Sequence, residues 1–325
     1  MEKKVIVMGA GIIDVLAFPV GPEVFVTGSE PMEDIRLSFG GDALNEAVGL
    51  SKLGRSPYLV TKLGRDEAGE QVYSFVERQG VRTQGILWEE GLSTGVNLVL
   101  VDKKGERNFL TNPSSSLRRL SKEDVFLGLS QLPPIEEGDV VSFASVFVST
   151  SLSLGDLEEI FSYVKGKGAY LTADFTRAKR GEKLSDLRMI FSYLDTVFIN
   201  EKEAAALTGE EEAKRNMALF LEAGAHQVVM KIGKKGCLLG REGSEEILEI
   251  PALSGRRCID TTGAGDSFAA GFLFAKMEGK DPIECALFGG SVASMVVEKL
   301  GATEGITSLE EAKERYRHLK AEWEK

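Results

Sequence analysis

Histidine and cysteine are scarce in this chain of 325 residues, which contains only two histidines and three cysteines. His226 and His318 supply too little material for a histidine-rich metal site or a Ser-His-Asp triad. Cys237, Cys258 and Cys285 include no Cys-x-x-Cys pair, so they predict neither a disulfide framework nor a zinc ribbon. So few cysteines are typical of a reducing compartment, and we expect a cytoplasmic protein.

The chain also lacks a long apolar segment and a block of basic residues. Its longest apolar stretch, 140–148, is broken by two serines and is far shorter than a membrane span. The 39 Lys and Arg are outnumbered by 50 Asp and Glu, which gives a formal net charge of −11. These absences argue against a membrane-spanning or nucleic-acid-binding protein, and we expect small-molecule partners.

Short β-branched runs alternate with longer segments of helical period through most of the chain. Apolar strands separated by helices are typical of a parallel sheet that is covered on both faces. We therefore predict one α/β domain over 1–325, a three-layer α/β/α sandwich around a mostly parallel sheet. The predicted strands are 5–8, 58–61, 140–143, 170–173, 196–199 and 228–232. The predicted helices are 44–53, 69–79, 157–167, 201–207, 213–223, 267–276, 291–299 and 309–324.

Two regions interrupt this alternation. Residues 15–39 carry prolines and a glycine between short extended pieces, and residues 94–111 read as two strands joined by a turn at 103–105. We interpret both as insertions that build a small β-sheet lid, although a decorated edge of the main sheet is an alternative. The apolar face of the hairpin would cover the closed site or pair with a second subunit as a homodimer.

The strongest local signal is the segment 260–268, Asp-Thr-Thr-Gly-Ala-Gly-Asp-Ser-Phe, directly before an apolar helical run. The small residues Gly263, Ala264 and Gly265 would let an anion reach bare N–H groups at a helix N-terminus, where the helix dipole also favours negative charge. The pattern predicts a phosphate cradle. It differs from the G-x-x-x-x-G-K-[ST] loop, which the chain lacks.

Asp266 lies where the phosphate would bind. A carboxylate beside an incoming anion costs Coulomb energy unless it takes part in the reaction. We therefore predict that Asp266 is a general base, which accepts the proton of a hydroxyl group as that oxygen attacks a γ-phosphorus. The structural alternative makes Asp266 a first-turn acid that complements the helix dipole, with Thr262 as the N-cap.

Two further patterns place polar side chains near strand ends. Asn200 and Glu203 follow a predicted strand and could organise magnesium-bound water and phosphate oxygens, yet the same spacing also fits a capping box. Gly40-Gly41-Asp42-Ala43-Leu44-Asn45 would let a polyol lie against bare backbone, with Asp42 and Asn45 as hydroxyl partners. Asp42 as a helix N-cap is the alternative.

Asp14 follows the first predicted strand, in the crevice where open α/β sheets bind ligands. Its carboxylate could accept hydrogen bonds from hydroxyl groups. The preceding Gly9-Ala10-Gly11 imitates a dinucleotide fingerprint and keeps an oxidoreductase as an alternative class. That match is weak, because Asp14 replaces the third glycine and two prolines soon stop the helix on which a pyrophosphate would rest.

Together these residues resemble the ribokinase-like (PfkB) carbohydrate kinases, from Val5 to about Ile306. The segment 260–266 is highly specific to that family, and the earlier signature agrees in its spacing. The members of the earlier signature are Gly40, Gly41, Asn45, Ala47, Gly54 and Gly64. Gly64-x-Asp66-x-x-Gly69, Asn200-x-x-Glu203 and Gly233-Lys234-Lys235-Gly236 follow in the family's order.

The resemblance implies an α/β sandwich whose β lid closes on a sugar, with ATP along the carboxyl edge of the sheet and Mg²⁺ on the phosphates. It makes Asp266 the base, and Gly263, Ala264 and Gly265 the anion hole for the transition-state charge. The residues that would hold the sugar are Asp14, Gly41, Asp42 and Asn45.

The resemblance also implies a set of residues that line the nucleotide site, which we call the nucleotide wall. It further implies two cation sites, one for Mg²⁺ and one for a monovalent cation. Asn200 and Glu203 resemble the phosphate and magnesium pair, with Glu203 acting through water. The nucleotide wall would include Lys231, Gly233, Gly236, Gly290 and Ser294. Lys231 stands where relatives commonly carry Thr or Ser, and Gly290 where an Asn often lines the adenine. A monovalent cation such as K⁺ is implied near Asp260, Thr262, Gly301 and Gly305.

The acceptor is left open by the sequence. Arg107 and Asn112 in the lid are expected to contact the substrate, although Arg107 could instead form an ion pair at the surface. The segment 174–177 resembles the Asp-x-Asn-x-Arg segment of fructokinase-like members, with Thr for Asn and Arg177 one position early. A fructokinase, 2-keto-3-deoxygluconate kinase or ribokinase activity is expected. A nucleoside kinase and a non-catalytic sugar or nucleotide sensor are the alternatives.

Overall fold

The computed structural model describes residues 3–103, 107–244 and 246–325. Thirteen strands lie in these ranges: β1 (Val5–Met8), β2 (Ile12–Phe18), β3 (Asp34–Gly40), β4 (Tyr58–Gly64), β5 (Ile86–Glu89), β6 (Val96–Val101), β7 (Arg107–Thr111), β8 (Val140–Val146), β9 (Tyr170–Phe175), β10 (Thr196–Asn200), β11 (Gln227–Lys231), β12 (Cys237–Arg241) and β13 (Leu248–Ile250).

Eleven α-helices occur in the same described ranges: α1 (Val24–Thr27), α2 (Asp42–Lys52), α3 (Glu67–Arg78), α4 (Lys122–Ser130), α5 (Leu154–Gly166), α6 (Arg188–Phe191), α7 (Glu201–Thr208), α8 (Ala213–Glu222), α9 (Ala264–Met277), α10 (Pro282–Val296) and α11 (Leu309–Trp323). None of them is long and apolar enough to cross a membrane.

Nine strands form one large sheet in the order β13-β12-β11-β10-β9-β8-β1-β4-β5. All neighbours from β11 to β5 are parallel, and β12 and β13 add an antiparallel edge. This confirms the predicted mostly parallel sheet. Its parallel strands all end at one carboxyl edge, and that edge positions the site described below.

Helices cover both faces of the large sheet, as its apolar strands require. Val5 and Val7 of β1 belong to one buried core, whereas Ile6 and Met8 belong to the other, because successive side chains of a strand point to opposite faces. The first core packs against α2, α3, α9, α10 and α11, and the second against α4 to α8. The three layers are those predicted from the apolar runs.

A second sheet of four strands, in the order β3-β2-β6-β7, is built from the two regions that interrupt the alternation. β2 pairs antiparallel with β3 and parallel with β6. The region 15–39 is not extended throughout, since α1 lies between the two strands. The predicted turn at 103–105 lies largely outside the described residues. We call this sheet the small sheet, and its closing as a lid stays a prediction.

The prediction for α10 was wrong at both ends. A helix was expected over 291–299, but α10 spans Pro282–Val296. The helix begins at Pro282, nine residues earlier than expected. Asp281 is its N-cap, because the Asp281 side chain accepts a hydrogen bond from the Glu284 N–H at 2.9 Å and Pro282 suits the first helical position. The helix α4, which was not predicted, also starts at a readable signal, the capping box of Ser121 and Asp124.

Candidate active site

The carboxyl edge of the large sheet brings together side chains that are distant in sequence. Asp174 lies near the end of β9, Asn200 ends β10 and Lys231 ends β11. Asn200 and Lys231 are register partners, and Asp174 is the partner of Phe198 on the same strand as Asn200. Three adjacent strands therefore present a carboxylate, an amide and an ammonium group to one crevice.

The helix α9 begins beside this crevice, and no side chain caps the backbone N–H groups of its first turn. Its N-cap is Gly263, which has a φ of 69° and no side chain to cap the helix. A Cβ atom on Gly263 would overlap the carbonyl oxygen of Ala302, so only glycine fits there. Thr262 is not the N-cap, contrary to the structural alternative, because its hydroxyl donates to Asp260 at 2.7 Å. The helix start therefore has the bare backbone that the prediction requires, and anion binding there stays a prediction.

Asp266 lies in the first turn of α9 and is held by a residue 221 positions away. Asn45 donates from Nδ2 to Asp266 Oδ2 at 2.8 Å. Burial raises the pKa of Asp266 well above its usual range and the charge of Asp42 adds to this, whereas the bond from Asn45 opposes it. A carboxyl group with a raised pKa is a better proton acceptor, as a general base requires.

Two of the sugar-binding residues predicted from the sequence act directly on Asp266, Asn45 through a hydrogen bond and Asp42 through its charge, and Asp14 lies near Asp42. Asn45 Oδ1 is buried without a hydrogen-bond partner among the described residues. Asp14 is oriented by Asn97, which donates to Asp14 Oδ1 at 3.0 Å. A cavity of about 200 Å³ between the small sheet and the loop before α9 is lined by Asp14, Arg107 and Thr262.

Asp42 is the first residue of α2 and is not its N-cap. Gly41 takes that place with a φ of 94°, and a Cβ atom there would overlap the carbonyl oxygen of Ala10. The Asp42 carboxylate instead accepts a hydrogen bond from the hydroxyl of Ser145. Ser145 has a φ of 66°, which is unusual for a residue other than glycine and marks local strain at this contact.

Asn200 and Glu203 form the capping box that was the structural alternative. The Asn200 side chain accepts from the Glu203 N–H at 2.9 Å, and Glu203 Oε2 accepts from the Asn200 N–H at 3.0 Å. Burial, with a contribution from Asp174, raises the pKa of Glu203 to about 7. The box uses one oxygen of Glu203, and the magnesium role stays a prediction.

Lys231 donates from Nζ to Asp174 Oδ2 at 2.5 Å. Both side chains are largely buried. Burial by itself would lower the pKa of the Lys231 ammonium, but the negative charges of Asp174, Glu203 and Asp266 outweigh it and raise that pKa. The lysine is therefore a fixed positive charge in this part of the site.

Only some residues of the predicted nucleotide wall lie together at the sheet edge. Gly233 and Gly236 frame the turn between β11 and β12 at the sheet edge, next to Lys231. Gly290 and Ser294 instead face α11: a Cβ atom on Gly290 would lie 3.3 Å from Leu319, and Ser294 Oγ accepts from Arg315 at 3.2 Å. The contacts of Gly290 and Ser294 are packing contacts, and their nucleotide role stays a prediction.

Asp260 organises the loop before α9. Its Oδ1 accepts from the Thr262 N–H and hydroxyl, and its Oδ2 accepts from the Gly301 N–H at 3.0 Å. Arg107 of β7 also donates to Oδ1, so one oxygen already has three donors. These donors lower the pKa of Asp260 despite its burial, which acts the other way. A monovalent cation beside Asp260 and Thr262 stays a prediction.

Two further predictions concern the small sheet. The Arg107 guanidinium lines the cavity and pairs with Asp260, which is only 6% exposed, so the ion pair lies inside the site and not at the surface. The contact of Arg107 with the substrate stays a prediction. Asn112 is not among the residues that line this cavity, and its contact with the substrate also stays a prediction. Its side chain is exposed and accepts from the Ser114 N–H at 2.9 Å, which is a local turn contact.

Sequence reasoning missed three residues of this site. Asp174 was quoted only as part of a family-like segment, although it follows a buried strand just as Asp14 does, and that placement is a usable signal. Ser145 carries no signal, because its contact with Asp42 crosses 103 positions. Glu46 reads as a surface acid of α2, yet it is 1% exposed and lies beside Asp42 and Asp174.

The chain matches known proteins over nearly its full length. The family model described as pfkB family carbohydrate kinase matches residues 2–309. An uncharacterized sugar kinase of Archaeoglobus fulgidus is 30% identical over 80% of this chain and 98% of its own length. The 2-dehydro-3-deoxygluconokinase of Haemophilus influenzae is 26% identical over 87% of this chain and 93% of its own.

Solved structures agree on the fold. The ribokinase of Thermotoga maritima has a TM-score of 0.77 and 26% identity, covering 97% of this chain and 99% of that one. An Arabidopsis thaliana ribokinase solved with ribose and ATP has a TM-score of 0.80 and 21% identity, covering 98% and 99%. The predicted fold class and family resemblance are therefore confirmed. The chain belongs to the pfkB family of carbohydrate kinases and is a phosphotransferase with an alcohol group as acceptor.

Proposed function

We propose that this kinase transfers the γ-phosphate of ATP to a hydroxymethyl group of a monosaccharide, with Asp266 as the general base. The observation that carries the proposal is the position of the Asp266 carboxylate in the first turn of a helix that begins with glycine. Asn45 Nδ2 donates a hydrogen bond of 2.8 Å to its Oδ2. An acid and an anion cradle then face the same space. That pairing is what deprotonating an alcohol beside a phosphoryl group requires.

The sugar would lie between the small sheet and α2. Asp14, which Asn97 orients, and Asp42, which Ser145 contacts, offer carboxylate oxygens to its hydroxyl groups. Gly41 brings bare backbone to the same face. Acceptors outnumber donors in this set, so it suits a molecule rich in hydroxyl groups.

The chemical step is a direct in-line transfer. The acceptor oxygen attacks the γ-phosphorus, its proton passes to Asp266, and the bond between the γ-phosphorus and the bridging oxygen breaks to release ADP. The N–H groups at the start of α9, from Gly263 to Gly265, receive the charge on the equatorial oxygens. No phosphoenzyme is required.

Magnesium fits the donor set on the nucleotide side. Asn200, Glu203 and Asp174 offer the oxygen ligands that Mg²⁺ prefers. Among the described residues no three acidic, histidine or cysteine side chains are grouped to hold a metal directly. We expect these residues to reach the ion through water, and when bound it would neutralise charge on the ATP phosphates.

Replacing the base tests the proposal. Asp266→Asn keeps the size of the side chain but cannot accept a proton, so we expect turnover to fall by about 10²–10⁴-fold. ADP release with excess ATP and sugar measures this. Sugar binding, followed by calorimetry, should change little.

Asp281→Asn is the matched control, because Asp281 caps α10 and lies outside the site. It should keep wild-type turnover. Near wild-type activity of Asp266→Asn would remove Asp266 as the base, and no ADP release with any acceptor would contradict the kinase proposal as a whole.

The acceptor can be assigned by a panel. Relatives carry the names ribokinase, 2-dehydro-3-deoxygluconokinase and cytidine kinase, so the panel should include pentoses, ketohexoses, sugar acids and nucleosides. We expect ADP release with a monosaccharide or sugar acid. Preference for a nucleoside would move the assignment to the nucleoside kinases of the family.

A further inference from the structure

A group of unpaired cations lies near Asp42, beyond the carboxyl ends of β8 and β9. Lys179 follows β9, and Arg118, which follows the small sheet, donates from its guanidinium group to the Val148 carbonyl oxygen at 2.8 Å. Neither side chain forms an ion pair with an acid of the described residues. In a chain whose formal net charge is −11, this local excess of positive charge requires a physical reason.

These cations lie close enough to repel one another. Partial burial, and then the positive charges of Arg118 and Arg177, lower the pKa of the Lys179 ammonium group, whereas the charges of Asp42 and Glu203 oppose this. Like charges gathered in one place cost Coulomb energy. A ligand of opposite charge removes that cost, so the arrangement is typical of a site that attracts an anion.

The cations border a small cavity that reaches the acceptor side of the site. Lys179 lines this cavity together with Ser145 and Ser149. The Ser145 hydroxyl donates to the Asp42 carboxylate, and the Ser149 hydroxyl donates to the Arg118 carbonyl oxygen at 3.1 Å. Ser145 therefore connects the cavity to a predicted sugar-binding residue, and Ser149 connects it to Arg118.

The sheet order separates these cations from the nucleotide wall. The turn of Gly233 and Gly236 follows β11, whereas Lys179 follows β9 and Val148 follows β8. β8 and β11 are three strand positions apart, which is about 14 Å at the usual spacing of strands. The position of Arg118 and Lys179 therefore favours an anion carried by the acceptor over the phosphates of ATP.

We propose that Arg118 and Lys179 bind an anionic group of the acceptor, a carboxylate or a phosphate ester, at the end opposite the hydroxymethyl group that reacts. The inference rests on the proposed function and narrows its substrate to charged sugar derivatives. A guanidinium group presents several N–H donors in one plane, which suits both kinds of anion. One donor of Arg118 is fixed by the Val148 carbonyl, so the side chain is oriented before the substrate binds.

Three acceptors that differ at a single carbon test the inference. At the terminal carbon next to the keto group, fructose carries a hydroxymethyl group, 2-ketogluconate a carboxylate and fructose 1-phosphate a phosphate ester. ADP release gives kcat/KM for each, and we expect at least one of the two anions to exceed fructose by about tenfold or more. A preference for fructose over both anions would overturn the inference and leave the proposed function standing.

Lys179→Met removes one charge of the group but keeps a long side chain. We expect the ratio of kcat/KM for the preferred anion to that for fructose to fall by about 10–100-fold, mainly through KM. Lys179→Arg keeps the charge and should keep part of this preference. Arg188→Met, at an exposed position of α6 that does not line the cavity, is the control and should keep the wild-type ratio.

The same variants test the competing roles of Lys179. An equal loss of kcat/KM with all three acceptors would show that Lys179 only supports the fold. A rise in the KM for ATP with an unchanged ratio between acceptors would show that it contacts the nucleotide. Either result would overturn the inference.

Binding without ATP keeps this inference apart from the proposed function. In calorimetry the wild type should bind the preferred anion about tenfold or more tightly than fructose, and Lys179→Met should lose this difference. Lysine-dependent binding of the anion without any ADP release would contradict the proposed function and support the inference. If the wild type bound neither 2-ketogluconate nor fructose 1-phosphate, the inference would be wrong.

Discussion

Glu46 is a buried acid directly beneath the site. It is 1% exposed, and its Oε1 has no hydrogen-bond partner among the described residues. Burial raises its pKa to about 8, against smaller opposing effects of Ser142 and Lys231. At neutral pH the group is therefore largely protonated in the folded protein, whereas it is ionised in the unfolded chain.

This difference predicts a pH-dependent stability. Because the folded state binds the extra proton, the free energy of unfolding should fall as pH rises from about 4.5 to about 8, at up to about 1.4 kcal/mol per pH unit. Glu46→Gln cannot ionise and should remove that part of the slope. The hydroxyl oxygen of Ser142, which acts on Glu46 in the wild type, can accept from the amide of this variant.

Urea unfolding at pH 5.5 and pH 8 measures the effect. Glu46→Gln should be more stable than the wild type at pH 8, and this advantage should shrink to about 1.4 kcal/mol at pH 5.5, one pH unit above the usual pKa of the side chain. Glu77→Gln, at an exposed position of α3, is the control and should follow the wild type at both values. An unchanged slope in Glu46→Gln would show that Glu46 is ionised in the folded protein.

At the scale of elements, the start of α9 depends on one left-handed residue. Gly263 and Gly209 share this conformation, with φ values of 69° and 78°. They differ in the space around them. A Cβ atom on Gly263 would overlap the backbone of Ala302, whereas one on Gly209 would meet nothing within 4 Å. Comparing substitutions at the two glycines therefore distinguishes the cost of a left-handed backbone from the cost of steric overlap.

Gly263→Ala should disrupt the anion cradle. We expect it to lose about 1–2 kcal/mol of stability from the left-handed backbone and more from the overlap, and to lose most turnover. Gly209→Ala should lose only the backbone part and keep full turnover. Melting temperature and ADP release measure both effects. Full activity of Gly263→Ala would mean that the N–H groups of α9 do not bind the phosphoryl group.

At the scale of the whole molecule, the Arg107–Asp260 pair joins the small sheet to the loop that carries the anion cradle. Asp260 also holds Thr262 and Gly301, so a single carboxylate connects both parts. Closing of the small sheet over a sugar would exclude water, which competes with the sugar as a nucleophile. We therefore predict that the pair couples closure of the small sheet to the geometry of the loop before α9.

Arg107→Ala should weaken this coupling. A hydrogen-bonded charge pair contributes about 1.5–3 kcal/mol, so we expect the KM for the sugar to rise by about tenfold or more. Hydrogen exchange should also become faster in β7. Arg65→Ala is the control, because Arg65 pairs with Glu90 at 3.0 Å and belongs neither to the lining of the cavity nor to the small sheet. Unchanged exchange and KM in Arg107→Ala would show that the pair does not hold the small sheet.

The sequence by itself determined the features that depend on near neighbours. The alternation of apolar strands and helices predicted the three layers, and the capping box of Asn200 and Glu203 is readable because three positions separate its members. The cradle at 263–265 was predictable for the same reason, since glycines and a helix start lie within one turn. The start of α10 was equally local, and Asp281 with Pro282 could have revealed it.

Tertiary structure decided which of these pieces meet. The contacts of Asn45 with Asp266, of Lys231 with Asp174 and of Arg107 with Asp260 cross 221, 57 and 153 positions. The sheet order sets them, because strands that are distant in the chain become neighbours and end at one edge. The raised pKa values of Glu46 and Glu203 arise in the same way, since burial is a property of the packed layers and not of the local sequence.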